Sequence, residues 1–205
     1  MIVIVDYGVS NLLSVENAFR KLGMKAVTAD NPEVIRKADR LILPGVGSFG
    51  NCLAGIKQRS LFEAVTEFIA SGKPFLGICV GMQIMFEKSF EFGVHEGVGF
   101  FKGEIKSLSP YAESKKLKIP HIGWNNIEIC RNHSIFTGIS ASAHFYFVHS
   151  FYAADDYGYV AATCNYGTIF AAVVIRENVV GTQFHPEKSQ RNGLLFLENF
   201  GKWKC

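Results

Sequence analysis

Cys79, His185 and Glu187 are the residues whose types and surroundings best support covalent chemistry. Cys79 stands between two glycines in "GICVG" (77–81), at the join of an apolar run and a helix-like segment. This is the G-x-nucleophile-x-G form, in which a sharp strand-to-helix turn strains the central residue and the flanking glycines remove the clashes. The thiol would then stand at the carboxyl edge of a sheet. There the first N–H groups and the positive dipole end of the next helix favour a thiolate and a developing oxyanion. A cysteine nucleophile needs a base, usually histidine. Of the six histidines, His185 in "VVGTQFHPEKS" follows a β-like run, is fixed by Pro186 and has a carboxylate two residues on. Residues two apart at a strand end share a side, so Glu187 can orient the imidazole as the third member of a triad does.

The other histidines and cysteines read differently. His95, His133 and His144 occupy polar or loop-like contexts that predict solvated positions, whereas His121 and His149 lie among aromatic residues as core or pocket histidines. Cys52, Cys130 and Cys164 read as small buried hydrophobes, and Cys205 is terminal. Five widely spaced cysteines without a CxxC pair argue against a disulfide framework and a zinc site, and fit a reducing cytoplasm.

The elements that must position these residues alternate in the first half. "IVIVD" (2–6), "KAVTA" (25–29), "RLILP" (40–44) and "PFLGI" (74–78) read as strands. Residues 11–22, closed by Gly23, and residues 61–70 carry apolar side chains at helical spacing, and Val80–Phe86 opens a further helix. Repeated strand–helix–strand units predict a mostly parallel sheet with helices on both faces. The second half holds short β-like runs, "GEIKSL", "NNIEIC", "HFYFVHS", "YVAATC", "FAAVVIR" and "VVGTQFH", and then a closing helix at 190–200. These predict added antiparallel strands on one α/β domain spanning residues 1–205.

The totals agree with that frame. With 48% hydrophobic and 19% charged residues, a 205-residue chain can build a sizeable core. A net charge of +3 and the lack of a dense basic stripe speak against nucleic acid, and "SKKLK" (114–118) reads as a solvated loop. The apolar start reaches Asp6 too soon for a signal peptide and is expected to be a buried strand; no apolar stretch has the roughly 20 residues of a membrane span. The glycine-rich "LILPGVGSFG" (41–50) follows a strand but lacks the Lys-Ser/Thr of a phosphate loop, which leaves a flexible loop as the plain reading.

Together, "LGICVGMQ" and "GTQFHPEKS" resemble the class I (triad) glutamine amidotransferase family. The resemblance implies a flavodoxin-like α/β fold, with Cys79 as nucleophile, His185 as acid and base and Glu187 as orienter, L-glutamine as substrate and no cofactor or metal. It makes Gln83 a substrate-binding residue and turns the glycine loop into an oxyanion strand, with N–H groups around Val46 and Gly47 joined by that of Val80. "IVDYGVSNLLSVENAF" (4–19), "IPHIGWNNI" (119–127) and "HFYFVHSFY" (144–152) are similar to the glutaminase subunits of imidazole glycerol phosphate synthase, over essentially the whole chain. That branch implies Ser150 and Phe151 as main-chain contacts to glutamine. By residue type alone Trp124 and Tyr146 belong in a core and Lys188 on a solvated surface. The resemblance instead sets Asn11, Trp124, Asn125, Tyr146 and Lys188 towards a partner, a (β/α)₈-barrel cyclase that takes up the ammonia in a heterodimer of histidine biosynthesis. Ser10, Val80 and Phe151 stand where relatives commonly have glycine, leucine and tyrosine. Other readings keep part of this: a paralogue serving a sugar-modifying synthase, a free-standing hydrolase, and a catalytically silent scaffold.

Overall fold

A computed structural model describes residues 1–8, 11–154 and 157–205; Ser10 lies outside the described residues. The apolar runs of the first half become β1 (Ile2–Val5), β2 (Ala26–Ala29), β3 (Arg40–Gly45) and β4 (Phe75–Cys79). Between them lie α1 (Leu12–Lys21), α2 (Pro32–Arg36), α3 (Phe49–Gln58) and α4 (Phe62–Ala70). In β3 Leu41, Ile42 and Leu43 are fully buried, as befits a strand covered on both faces. Helix α1 turns Val15, Ala18 and Phe19 inward on one stripe.

The helices α2 and α3 were not anticipated, although each carries a start signal. Asn31 accepts a hydrogen bond from the Glu33 N–H ahead of Pro32, and Ser48 accepts one from the Asn51 N–H. Beyond β4 the chain makes α5 (Val80–Gln83) and at once turns into β5 (Phe86–Ser89). The expected helix over Val80–Phe86 is therefore a single turn. Met82, Met85 and Phe86 are all fully buried and Gln83 nearly so, so the run is covered on every side and carries no period that separates helix from strand.

The second half adds β6 (His95–Glu96), β7 (Phe101–Ser107), α6 (Ser109–Ser114), β8 (His121–Asn126), β9 (Glu128–Ile129), β10 (His144–His149) and β11 (Phe151–Ala153). It closes with β12 (Val160–Tyr166), β13 (Thr168–Arg176), β14 (Val179–Thr182) and α7 (Gln190–Lys202). One sheet has eight strands in the order β2-β1-β3-β4-β14-β13-β12-β9, parallel from β2 to β14 and antiparallel beyond. A second sheet runs β11-β7-β5-β6, and β8 pairs with β10 as a two-stranded antiparallel ribbon. "NNIEIC" is thus divided, its first residues belonging to the ribbon and Glu128–Ile129 to the edge of the large sheet. That edge explains Cys130, which is exposed rather than buried and hydrogen-bonds the Glu128 carbonyl at 3.4 Å. Among the described residues no helix is long and apolar enough to cross a membrane.

Two histidines expected in solvent are half-buried. His95 packs 6.2 Å from the Phe49 ring and His133 sits edge-on 5.4 Å from Trp203, leaving only His144 of that group exposed. Both are covered by elements distant in sequence.

Candidate active site

Strand β4 ends on Cys79 with φ 53° and ψ −112°, a conformation that L residues avoid, and α5 starts at the next residue. The elbow holds because its glycines admit close packing. A Cβ on Gly81 would lie 1.9 Å from the Leu43 carbonyl oxygen, and one on Gly77 would lie 2.7 Å from the Gly81 oxygen. With only one turn of helix behind it, Val80 can offer the N–H of a first helical residue rather than the end of a long dipole.

Strand β14 lies beside β4 in the sheet, and the chain leaving it delivers His185 to the thiol. His185 Nδ1 pairs with Glu187 Oε1 at 2.8 Å, so the other ring nitrogen serves Cys79, with which it hydrogen-bonds. Both side chains are only 2% exposed. Burial pulls the imidazole pKa down, but the adjacent Cys79 charge and hydrogen bond, with Glu187, more than offset it and raise it to about 10. Glu187 Oε2 is buried without a hydrogen-bond partner among the described residues. The His185 segment is pinned from the ribbon: its N–H donates to the Tyr146 carbonyl at 2.9 Å. Ser189 Oγ donates to the His185 carbonyl at 2.6 Å and accepts from the Tyr146 N–H at 2.9 Å.

The thiol opens on a cavity of about 230 Å³ that Val46, Gly47, Val80, Gln83, Ser150 and Phe151 help to line. This is smaller than the roughly 300–1,000 Å³ of drug-sized sites and suits a ligand of amino-acid dimensions. The oxyanion-loop residues and the substrate-binding residues read from the sequence therefore converge on one space. At Val46 the carbonyl is held at 3.5 Å by the buried Cys52 thiol. Carbonyl and N–H point oppositely in a trans peptide, so the Gly47 N–H faces away from Cys52. Gln83 Nε2 donates to the Phe151 carbonyl at 2.9 Å and to Gln183 Oε1 at 3.0 Å. Both amide hydrogens are thus used, leaving Oε1 as the atom Gln83 offers a ligand.

Two lining or supporting residues, Glu91 and Gln183, had no assigned role in the sequence reading. Glu91 lines the cavity and accepts the Phe49 N–H at 2.6 Å; burial raises its pKa against the opposing pull of that bond and of His95. Gln183 Nε2 approaches Cys79 Sγ at 3.6 Å. Strand alternation places Gln183 on the same side as His185, which was a usable signal; Glu91 follows an irregular loop and had none. His149 proves to be both core and pocket, lining the cavity while bonded through Nδ1 to the Phe151 carbonyl at 2.9 Å.

The residues expected to face a partner fall in two places. Trp124 is 47% exposed and pairs across the ribbon with Tyr146, the rings edge-on at 6.2 Å. Neither belongs to the core. Lys188 and Asn11 are exposed near the triad segment and at the start of α1. Asn125 is different, for its amide is turned inward to His121 Nε2 at 3.4 Å and the Asn165 carbonyl at 3.1 Å. No cluster of three or more His, Cys, Asp or Glu able to hold a metal occurs among the described residues.

Comparison with known proteins agrees with this geometry. Residues 3–202 match the glutamine amidotransferase class-I family. Imidazole glycerol phosphate synthase subunit HisH of Syntrophotalea carbinolica is 46% identical, covering 98% of this chain and 99% of its own. The HisH subunit of Sulfurimonas denitrificans is 45% identical, covering 100% and 99%. A crystal structure of a glutamine amidotransferase shares the fold with a TM-score of 0.74 at 18% identity, covering 98% of this chain and 100% of that one. The chain belongs to the class-I glutamine amidotransferase family, on its HisH branch.

Proposed function

We propose that this chain is the glutaminase subunit of an imidazole glycerol phosphate synthase, working as one domain over residues 1–205. The observation that carries the reading is the strained Cys79 facing His185, itself held by Glu187 at 2.8 Å, beside a cavity of amino-acid size. The Cys79 thiolate attacks the side-chain amide carbon of L-glutamine, and N–H groups of Val46 or Gly47 with Val80 stabilise the oxyanion. The imidazolium of His185 gives its proton to the departing nitrogen, so ammonia leaves and a γ-glutamyl thioester remains. His185 then takes a proton from water, which hydrolyses the thioester to glutamate and restores the thiolate. Glu187 holds the ring orientation and stabilises its charged form throughout.

The same cavity supplies recognition. The Glu91 carboxylate and Gln83 Oε1 suit the α-ammonium of glutamine, and the main chain at Ser150 and Phe151 suits its α-carboxylate. Nothing in these steps needs a cofactor. The ammonia passes to a separate (β/α)₈-barrel cyclase docked over Asn11, Trp124, Asn125, Tyr146 and Lys188. That partner closes the imidazole ring of imidazole glycerol phosphate in histidine biosynthesis, in the cytoplasm.

The test is glutamate release by the purified chain, alone and with the barrel subunit and its nucleotide ligand, with Cys79→Ala as blank. Weak release that rises in the complex and vanishes in Cys79→Ala is expected. Strong release unaffected by the barrel would identify an independent hydrolase. Activation only by a glycan-pathway partner would reassign the acceptor.

A further inference from the structure

The β8/β10 ribbon has two unlike faces. Outward it shows Ile122, Trp124 and Tyr146; inward it carries a file of polar side chains, Asn125, His121 and His149. His121 and His149 are cross-strand partners, with Nδ1 of the first 3.0 Å from Nε2 of the second. Their protonation follows from one atom. The Phe151 carbonyl only accepts, so His149 Nδ1 carries the hydrogen and its Nε2 accepts. His121 Nδ1 must then donate, and its Nε2 accepts from the Asn125 amide. Beyond Phe151 the chain of bonds continues through Gln83 and Gln183 to the sulfur of Cys79.

Both imidazoles are buried, at 3% and 6% exposure, and His121 is stacked between Phe147 and Tyr166 at 5.0 and 4.0 Å. Burial lowers their pKa values to about 4 and about 3, so the neutral pair persists at neutral pH. Packing alone does not require a histidine at position 121, since phenylalanine would fill the stack. Their hydrogen bonds run from the ribbon to the residues that grip the substrate, and nothing else in the mechanism uses them.

We propose that the His121–His149 pair is a positioning device that couples the Trp124/Tyr146 face of the ribbon to the glutamine clamp at Gln83 and Phe151. A partner seated on the outer face shifts the ribbon as a unit, because among the described residues its two strands have no third strand beside them. The inward file passes that shift to the Phe151 carbonyl and so to the Gln83 amide. Neither imidazole exchanges protons with substrate. The inference rests on the proposed function for the identity of the ligand and for the docking of a barrel on that face.

The test is steady-state glutaminase kinetics on the whole chain, free and in complex with the barrel subunit. His121→Phe keeps the ring stack and removes the relay. Its KM for glutamine in the complex is expected to rise up to about tenfold, the upper end for loss of one neutral hydrogen bond, with kcat within about twofold. A merely structural role would instead reduce the active fraction, lowering kcat at unchanged KM. His121→Asn, whose amide still donates towards His149, is expected to restore most of the KM. Trp124→Ala combined with His121→Phe should fall short of the product of the single effects, since both break one coupling. An unchanged KM in His121→Phe, or strictly multiplicative effects in the double variant, overturns the proposal. If the wild-type chain is not activated by the barrel, it is the docking reading that fails, while KM of the free His121→Phe chain still tests the link to the clamp.

Discussion

Gly81→Ala measures how tightly the nucleophile elbow is built. The new Cβ would sit 1.9 Å from the Leu43 carbonyl oxygen, whereas ordinary contact begins at 3.4 Å, so one side must retreat by about 1.5 Å. Leu43 cannot supply that movement, because β3 is paired on one side to β1 and on the other to β4. The displacement therefore falls on α5, and with it on Val80 and Cys79. A misplacement of about 1 Å at reacting groups costs on the order of a hundredfold in rate, so kcat for glutamate release should fall at least that far. Overpacking costs about 1–3 kcal/mol, which for a chain of this size lowers the melting temperature by very roughly 2–12 °C. The assay is glutamate release in the complex beside a thermal melt, with Gly158→Ala as control, since nothing lies within 4 Å of a Cβ there. The reasoning is refuted if Gly81→Ala keeps kcat within about threefold of wild type.

Three more perturbations address other parts of the molecule. The lowered pKa values of His121 and His149 mean that the unfolded chain takes up protons near pH 6.5 that the native chain refuses. Stability is full above that pH and lost as pH falls towards the folded values, at up to about 1.4 kcal/mol per unit for each ring; urea unfolding between about pH 6.5 and 5 should show a shallower slope in His121→Phe, and equal slopes would contradict the assignment. Glu91→Gln removes a charge-assisted contact to the proposed α-ammonium worth about 1.5–3 kcal/mol, so KM should rise roughly ten- to a hundredfold with kcat little changed; an unaltered KM removes Glu91 from recognition. The buried Asn178 amide ties the Ile69 and Lys73 carbonyls at 2.9 and 2.8 Å, and Asn178→Ala should cost about 1–3 kcal/mol in a denaturant titration at unchanged kcat.

The triad was legible because each member carries a local mark: glycines around Cys79, and a proline between His185 and Glu187. The central strands were legible because burial on both faces leaves uninterrupted apolar runs. What failed to show shares a different cause. The stretch Met82–Phe86 is apolar but for Gln83 and buried throughout, so only its pairing with β7 decides that Phe86 is a strand residue. Glu91 and Gln183 reach the site through contacts between segments far apart in sequence, Glu91 to Phe49 and Gln183 to Gln83. Cys130 is exposed because β9 is the outermost strand, a position fixed by sheet order rather than by residue type. Local chemistry points to the candidate nucleophile; tertiary pairing chooses the residues that surround it.

Two unfavourable features lie at or just beyond the carboxyl ends of the neighbouring strands β4 and β14. Cys79 holds a conformation that costs about 1–3 kcal/mol, and Glu187 keeps a buried oxygen without a partner, at a further 1–3 kcal/mol. Against a typical net stability of about 5–15 kcal/mol these are large local penalties. They are tolerated because β4 and β14 are paired in register from Phe75–Val179 to Ile78–Thr182, at the centre of the eight-stranded sheet and almost wholly buried. A sheet held that firmly leaves the residues just past its carboxyl edge little freedom to relax. The half-satisfied carboxylate holds the imidazole of His185 at 2.8 Å, and the strained elbow keeps the thiol turned towards that ring. The strain and the missing hydrogen bond are thus the same property seen at two residues: the rigid core of the sheet holds the triad in an arrangement that neither segment would adopt alone.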